Sequence, residues 1–298
     1  MTMAETVALT SIKKEKKKEK TFIVITKRLL KNKLAVAGLI IIALQIAMAI
    51  FAPFITFHDP VKQNLNLSEL PMFSENHWLG TDNYGRDVWS RIVYGARISL
   101  IVGIVAVTLG LIGGVILGML GGYYKKLDGL IMRIVDLLFS FPGILLAMLI
   151  IAILGTSLIN VAIAISIWSI PTCARIVRGS VLSIKEKEYI MAMKSLGASD
   201  LRIMFKHILP NAFAPIIVFA TMRMATAILS TASLSYLGLG AQPPTPEWGA
   251  MISQGQAFMW TSPHLTIIPG IAIMLTVFAF NVVGDGLRDA IDPNMDIQ

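Results

Sequence analysis

The sequence predicts an all-α, polytopic membrane protein with six spanning helices. Three observations carry that reading. The 298 residues are 55% hydrophobic and only 15% charged, with a mean hydropathy of +0.71, against about 25% charge in a soluble domain. The missing charge is concentrated in a few long blocks, each about as long as the 20 apolar residues a spanning helix needs. Lysine and arginine crowd beside alternate ends of those blocks, the pattern that sets topology in a bilayer.

The elements follow in order. Residues 1–33 form a basic segment, with a Lys/Glu run at 13–20 suited to anionic head groups. Residues 34–57 carry no charge and form the first span. The apolar run is too long for a signal-peptide core, so it reads as a retained helix. A polar loop, 58–97, follows and leads to a second span at 98–124. Residues 137–174 are uncharged throughout, too long for one helix. Leu154-Gly155-Thr156-Ser157 divides them into a third and a fourth span, with a tight turn near Asn160. The fifth span is placed at 212–237, containing Arg223, and the sixth at 265–284.

With the N-terminus inside, the segments on the inner side hold 21 of the 26 Lys and Arg residues. The outer loops hold Lys62, Arg86, Arg91 and Arg97, and Arg223 is the remaining one. That asymmetry places both termini in the cytoplasm. It also assigns the net charge of +8 to membrane topology, so nucleic acid is not an expected partner. The lone Cys173 sits in an apolar block and reads as an inert buried thiol.

Gly110, Gly114, Gly118 and Gly122 recur every four residues on one face of the second span, where another helix backbone can come close. The partner is either a helix of the same subunit, the reading favoured, or a neighbouring subunit. In the outer loop, Trp78, Asp82, Arg86, Asp87 and Arg91 form a polar, aromatic-bearing segment. Asp87 and Arg91 have the spacing of a helical ion pair. This segment is either held by its own ion pairs or meets a partner protein. The histidines, His58, His77, His207 and His264, lie far apart in the chain, and no metal site is expected from them.

Residues 185–211, KEKEYIMAMKSLGASDLRIMFKHILPN, form the most informative segment. Tyr189, Ile190, Met193 and Leu196 fall at helical spacing. Gly197 suits a left-handed helix end, Ser199 suits an N-cap, and Asp200 suits the positive end of a second helix. Leu201, Ile203, Met204, Phe205 and Ile208 continue the apolar pattern, and Pro210 closes the unit. A helix–turn–helix of this kind either docks into a groove on a soluble partner or lies folded on the bilayer surface.

This segment resembles the EAA loop of binding-protein-dependent ABC importers. Aligned on Gly197, Ala192 takes the first alanine and Leu209-Pro210 the closing pair. Met191, Met193 and His207 replace the glutamate, the second alanine and the isoleucine, and Glu188 lies three residues before the motif's glutamate position. HWLGTDNYGRDVWSRIVYGARISL (77–100), LSYLGLGAQPPTPEWG (234–249) and FNVVGDGLRDAIDP (280–293) are similar to segments of the C-type permease subunit of dipeptide, oligopeptide and nickel importers. Thr231 stands where that family usually has Glu.

The resemblance implies a type I ABC importer permease fold, in which residues 98–298 form a five-helix core that includes the coupling loop 185–211 and the span 34–57 is an added first helix. It implies a homologous second permease subunit, two cytoplasmic ATPases, an extracytoplasmic binding protein and a peptide or similar solute. It assigns coupling to Glu188, Ala192, Gly197, Ala198, Ser199 and Asp200. No Gly-Lys pair, and so no phosphate loop, is present. The chain is therefore expected to be no ATPase itself and to need no cofactor.

The alternative class is an ion-gradient-driven transporter or channel, with a structural scaffold as a third. Transporters of that kind place carboxylates in their spans, and these spans hold none. Arg223 has three readings: it snorkels to head groups, pairs with a carbonyl or carboxylate, or lines a solute pathway.

Overall fold

A computed structural model describes residues 21–291; the Lys/Glu run at 13–20 and the last two residues of the 280–293 motif lie outside them. The described residues contain no β-strand. The helices are α1 (Thr21–Lys31), α2 (Lys33–Ile55), α3 (Val88–Tyr123), α4 (Lys125–Phe139), α5 (Gly143–Leu154), α6 (Leu158–Lys185), α7 (Glu188–Ser195), α8 (Asp200–Ile203), α9 (Leu209–Tyr236), α10 (Trp248–Gly255) and α11 (His264–Ile291). A π-helical stretch, Met204–Ile208, joins α8 to α9.

Five helical segments are long and apolar enough to cross a membrane, and the bent pair α4–α5 makes a sixth if counted as one span. The first, second, fourth, fifth and sixth expected spans each correspond to one long helix. The third does not. A break at Ser140-Phe141-Pro142 turns the chain by 90° between α4 and α5. A residue before proline is pushed out of the helical region, so Phe141 cannot continue α4. α5 alone has 12 residues, about 18 Å, short of the ~30 Å hydrocarbon core. The break at Gly155 forms as expected: its φ of +90° ends α5, Ser157 caps α6, and the Asn160 side chain donates to the carbonyls of Leu154 and Gly155 at 2.9 Å each.

α3 begins ten residues before the expected start because Asp87 caps it, accepting from Ser90 N at 2.8 Å. The basic segment at the N-terminus contributes α1, whose last turn carries Arg28 and Lys31. Asn32 then caps α2, its side chain accepting from Leu34 N and Ala35 N.

The most extensive packing is between α3 and α6, and the glycine stripe explains it. A Cβ at Gly110 would fall 1.9 Å from Ser169 Oγ. One at Gly114 would fall 2.3 Å from Cys173 Cβ, one at Gly118 2.6 Å from the Ala174 carbonyl, and one at Gly122 2.7 Å from Val181 Cβ. Each distance is far inside van der Waals contact, so only glycine permits this approach. That face of α3 is consumed inside the subunit. The Cys173 thiol is buried in the same seam.

Candidate functional site

Two ends of the bundle carry polar structure: an elbow after α6 and a cap before α3. The elbow is built on a buried base. Ile190, Ile203, Met204 and Ile208 pack with Met119, Val177, Val181, Ile184 and Ile216 in a cluster of their own. The turn between α7 and α8 closes by two hydrogen bonds, Gly197 N to Lys194 O at 3.0 Å and Ala198 N to Met193 O at 3.1 Å. This is the paired pattern of a Schellman cap. Gly197 supplies the required positive φ, +81°, in open space.

The base leaves a row of apolar side chains uncovered. Leu196 is 87% exposed, and Tyr189, Met191, Leu201 and Phe205 are exposed as well. Glu188, Ala192, Gly197 and Ser199 are also exposed, whereas Ala198 and Asp200 are half-buried. The structure therefore gathers all six residues expected to couple on one elbow. Ser199 occupies the N-cap position but its side chain makes no capping hydrogen bond. Asp200 turns instead to α3, where Tyr123 Oη donates to its Oδ1 at 2.7 Å. A cleft of about 590 Å³ opens beside this contact, lined by Tyr123, Tyr124, Lys125, Lys126 and Lys194.

Further links tie the elbow's root to the bundle. Lys185 Nζ donates to the Gly122 carbonyl at 2.7 Å, a cation at the C-terminal end of a helix. Arg178 grips Asp128 of α4 with two hydrogen bonds, 2.6 and 2.7 Å, the bidentate geometry in which arginine–carboxylate pairs are strongest.

Arg223 takes none of its expected partners through Nε or Nη2. Both atoms are buried without a hydrogen-bond partner, and the guanidinium lies over the Trp168 ring, 4.7 Å from its centroid. The indole face supplies the negative partner that a carboxylate would have supplied. Trp168 in turn presses on Gly143 at the start of α5, where a Cβ would fall 1.8 Å from the indole.

The cap does not use the expected Asp87–Arg91 pair. Asp82 holds both arginines, with Oδ2 2.6 Å from Arg86 Nε and 3.4 Å from Arg91 Nε. Asp87 is committed elsewhere, to Ser90 and to His77 Nδ1 at 2.9 Å. A carboxylate that caps its own helix has no free oxygen directed at the residue one turn on. Arg86 Nη2 reaches Gln254 Oε1 at 3.0 Å, and Arg91 Nη1 donates to the carbonyls of Pro60 and Pro244. The cap thereby joins the polar loop to the turn between α9 and α10.

Glu247 was not singled out by sequence reasoning. It is fully buried, caps α10 by accepting from Ala250 N at 2.9 Å, and accepts from Ser99 Oγ at 3.3 Å. Burial holds its carboxyl above the ordinary range, while the backbone and serine hydrogen bonds pull the other way. Its neighbour Trp248 donates from Nε1 to the Ile92 carbonyl at 3.1 Å. The available signal was the Pro-Glu-Trp-Gly run, in which a lone carboxylate precedes a helix and an aromatic.

Comparison with known proteins agrees with this architecture. Residues 110–297 match the family described as binding-protein-dependent transport system inner membrane component, and residues 22–71 match the N-terminal transmembrane domain of oligopeptide transport permease C. The chain is 53% identical to the dipeptide transport system permease protein DppC of Alkalihalophilus pseudofirmus, over 90% of this chain and 88% of that one. It is 48% identical to the glutathione transport system permease protein GsiD of Pectobacterium atrosepticum, over 90% of each. Its fold is similar to a chain of the inward-facing MetNI methionine ABC transporter, with a TM-score of 0.57 and 21% identity, covering 69% of this chain and 98% of that one. The family match and the two permease relatives favour a permease over an ion-gradient-driven carrier or channel. The chain, then, is a multi-pass ABC importer permease and belongs to the binding-protein-dependent transport system inner membrane component family.

Proposed function

We propose that this permease carries small peptides, of the dipeptide to oligopeptide class, into the cell. It pairs with a homologous second permease subunit to enclose the pathway. An extracytoplasmic binding protein delivers the solute at the cap end, and two ATPases drive the cycle at the elbow end. Both termini then lie in the cytoplasm, in keeping with the lysine and arginine asymmetry. The peptide class rests on the likeness to the dipeptide and glutathione permeases and on the match to an oligopeptide permease segment.

The observation that carries the coupling role is the contrast within the elbow. Ile190, Ile203 and Ile208 are buried and fix its position, while Leu196 at its tip is 87% exposed. A rigid apolar tip is suited to a groove on a partner protein. Glu188, Ala192, Gly197, Ala198, Ser199 and Asp200 surround that tip, and we assign them to the ATPase contact. The boundaries of this division of labour are residues 1–33 for the basic segment, 34–57 for the added helix, 58–97 for the outer segment, which takes in the first ten residues of α3, and 98–298 for the core.

The test is a cysteine at Leu196 in the assembled complex, reconstituted with its partner subunits. A bifunctional reagent is expected to trap an adduct with the ATPase, at a yield that changes when nucleotide is added. No adduct in any nucleotide state overturns the assignment. Peptide-stimulated ATP hydrolysis, measured with di- and tripeptides against free amino acids, tests the solute class.

A further inference from the structure

The cap end holds a second cluster that spacing along the chain conceals. His58 follows α2 by three residues, and its ring stacks on that of His77, centroids 4.5 Å apart and planes inclined by 28°. His77 Nδ1 lies 2.9 Å from Asp87 Oδ1. One donor atom from each of His58, His77 and Asp87 lies within 4.8 Å of the other two. We propose that these three residues form a binding site for a divalent late-transition cation of the Zn²⁺ type.

The chemistry of the donors selects the ion. Two imidazoles and one carboxylate form a set of borderline hardness that favours Zn²⁺, Co²⁺ or Ni²⁺ over the all-oxygen ions Ca²⁺ and Mg²⁺. Bonds of about 2.1 Å in a tetrahedron place donors roughly 3.4 Å apart, so side-chain rotation closes the remaining gap. The ion takes the place of the proton held between His77 Nδ1 and Asp87 Oδ1; that proton passes to Nε2, so His77 ligates as neutral imidazole through the Nδ1 lone pair.

The surroundings are arranged as second shells of such sites are. His58 Nε2 lies 2.8 Å from the Asn76 carbonyl. A carbonyl accepts only from N–H, so the neutral ring is protonated at Nε2 and keeps its lone pair on Nδ1. Asp87 is fixed by Ser90 through its other oxygen, Oδ2, at 2.8 Å to N and 2.7 Å to Oγ, leaving Oδ1 for the ion. His77 and Asp87 are buried and His58 is half-buried. Access is through a cavity of about 170 Å³, lined also by Asp59, Lys62 and Asn64, with room for water on the open coordination position. The bound ion would tie the exit of α2, the outer loop and the N-cap of α3 into one unit.

The test uses the full chain in nanodiscs, freed of any affinity tag, with Zn²⁺ as the probe. Wild type is expected to retain one equivalent after gel filtration and to melt at higher temperature with the ion than without. His58→Ala is expected to weaken retention at least ~10-fold and to lose the ion-dependent rise in melting temperature. His207→Ala, at the elbow, is expected to bind as wild type does, and Ca²⁺ and Mg²⁺ are expected not to compete. X-ray absorption at the zinc edge is expected to report two imidazoles and no sulfur. Absence of a retained equivalent, full retention by His58→Ala, loss in His207→Ala or a sulfur shell each overturns the site. Should His58→Ala alter melting of the ion-free protein, the wild-type absorption spectrum decides: two imidazoles sustain the proposal and fewer reject it.

Discussion

Tyr123 and Asp200 join the end of the longest helix to the elbow: the phenol donates to the carboxylate at 2.7 Å, across 77 residues of chain. A hydrogen bond to a charged group contributes about 1.5–3 kcal/mol when well shielded. Partial exposure here places this one at the lower end or below. Tyr123→Phe is expected to leave assembly intact and to lower transport-linked ATPase stimulation several-fold. Basal ATP hydrolysis in the same preparation is the control, and an unchanged ratio of stimulated to basal activity would contradict the role.

Gly197 is required for its backbone angle and not for space, because a Cβ there meets nothing within 4 Å. A left-handed conformation costs a residue with a Cβ roughly 1–2 kcal/mol, less for Asn. Coupling is therefore expected to decline in the order Gly197, Gly197→Asn, Gly197→Ala, Gly197→Val. Equal performance of the Asn and Val variants would show that the turn is not needed in this form.

Arg223 and Trp168 form a pair whose strength a double-mutant cycle measures. A partly desolvated cation–π contact is worth about 1–2 kcal/mol. Arg223→Gln and Trp168→Leu are each expected to lower thermal stability, with the double variant no worse than about the larger single effect. Transport of free-carboxylate and C-terminally amidated peptides is expected to fall equally in Arg223→Gln. Selective loss of the free-carboxylate peptide would reassign the arginine to the solute pathway.

Glu247 gives a pH dependence with a definite sign. Its folded pKa is raised above the ordinary 4.5 by burial, so the folded state favours the protonated form. Its contribution is fully present below the ordinary value and is lost as pH rises through the raised one. Glu247→Gln keeps the shape and remains neutral. The melting temperature of wild type is expected to fall relative to the variant as pH rises from the ordinary carboxyl range toward neutrality. Parallel curves for the two proteins would refute the assignment.

The helices and the elbow were legible because their signals are local. Charge-free blocks mark spans, the glycines at 110, 114, 118 and 122 mark a close seam, and Gly197 marks a turn by its own stereochemistry. The bend at Pro142 was hidden inside an uncharged run, where hydropathy has no contrast to offer. The partners of Arg223, Asp82 and Glu247 were hidden for another reason. They lie 55, 4 or 9, and 148 residues away respectively, and all but Arg86, which shares the loop of Asp82, are on a different element. Even the short separation at Asp82 misled, because helical spacing assigned Arg91 to Asp87, and the capping duty of Asp87 decided otherwise. His58 and His77 read as unrelated because the loop between them returns on itself.

α3 has 36 residues, about 54 Å at 1.5 Å per residue, nearly twice the hydrocarbon thickness. It contains no proline, and α6 lies against its glycine face over three turns. One end starts in the Asp82–Arg86–Arg91 cap and the other stops at the tyrosine that holds the elbow. Such a rod has the kinematics of a rigid lever. A tilt of about 5° displaces one end relative to the other by about 5 Å across its ~54 Å length, so a small angular change at either surface becomes a displacement the size of a side chain at the opposite one.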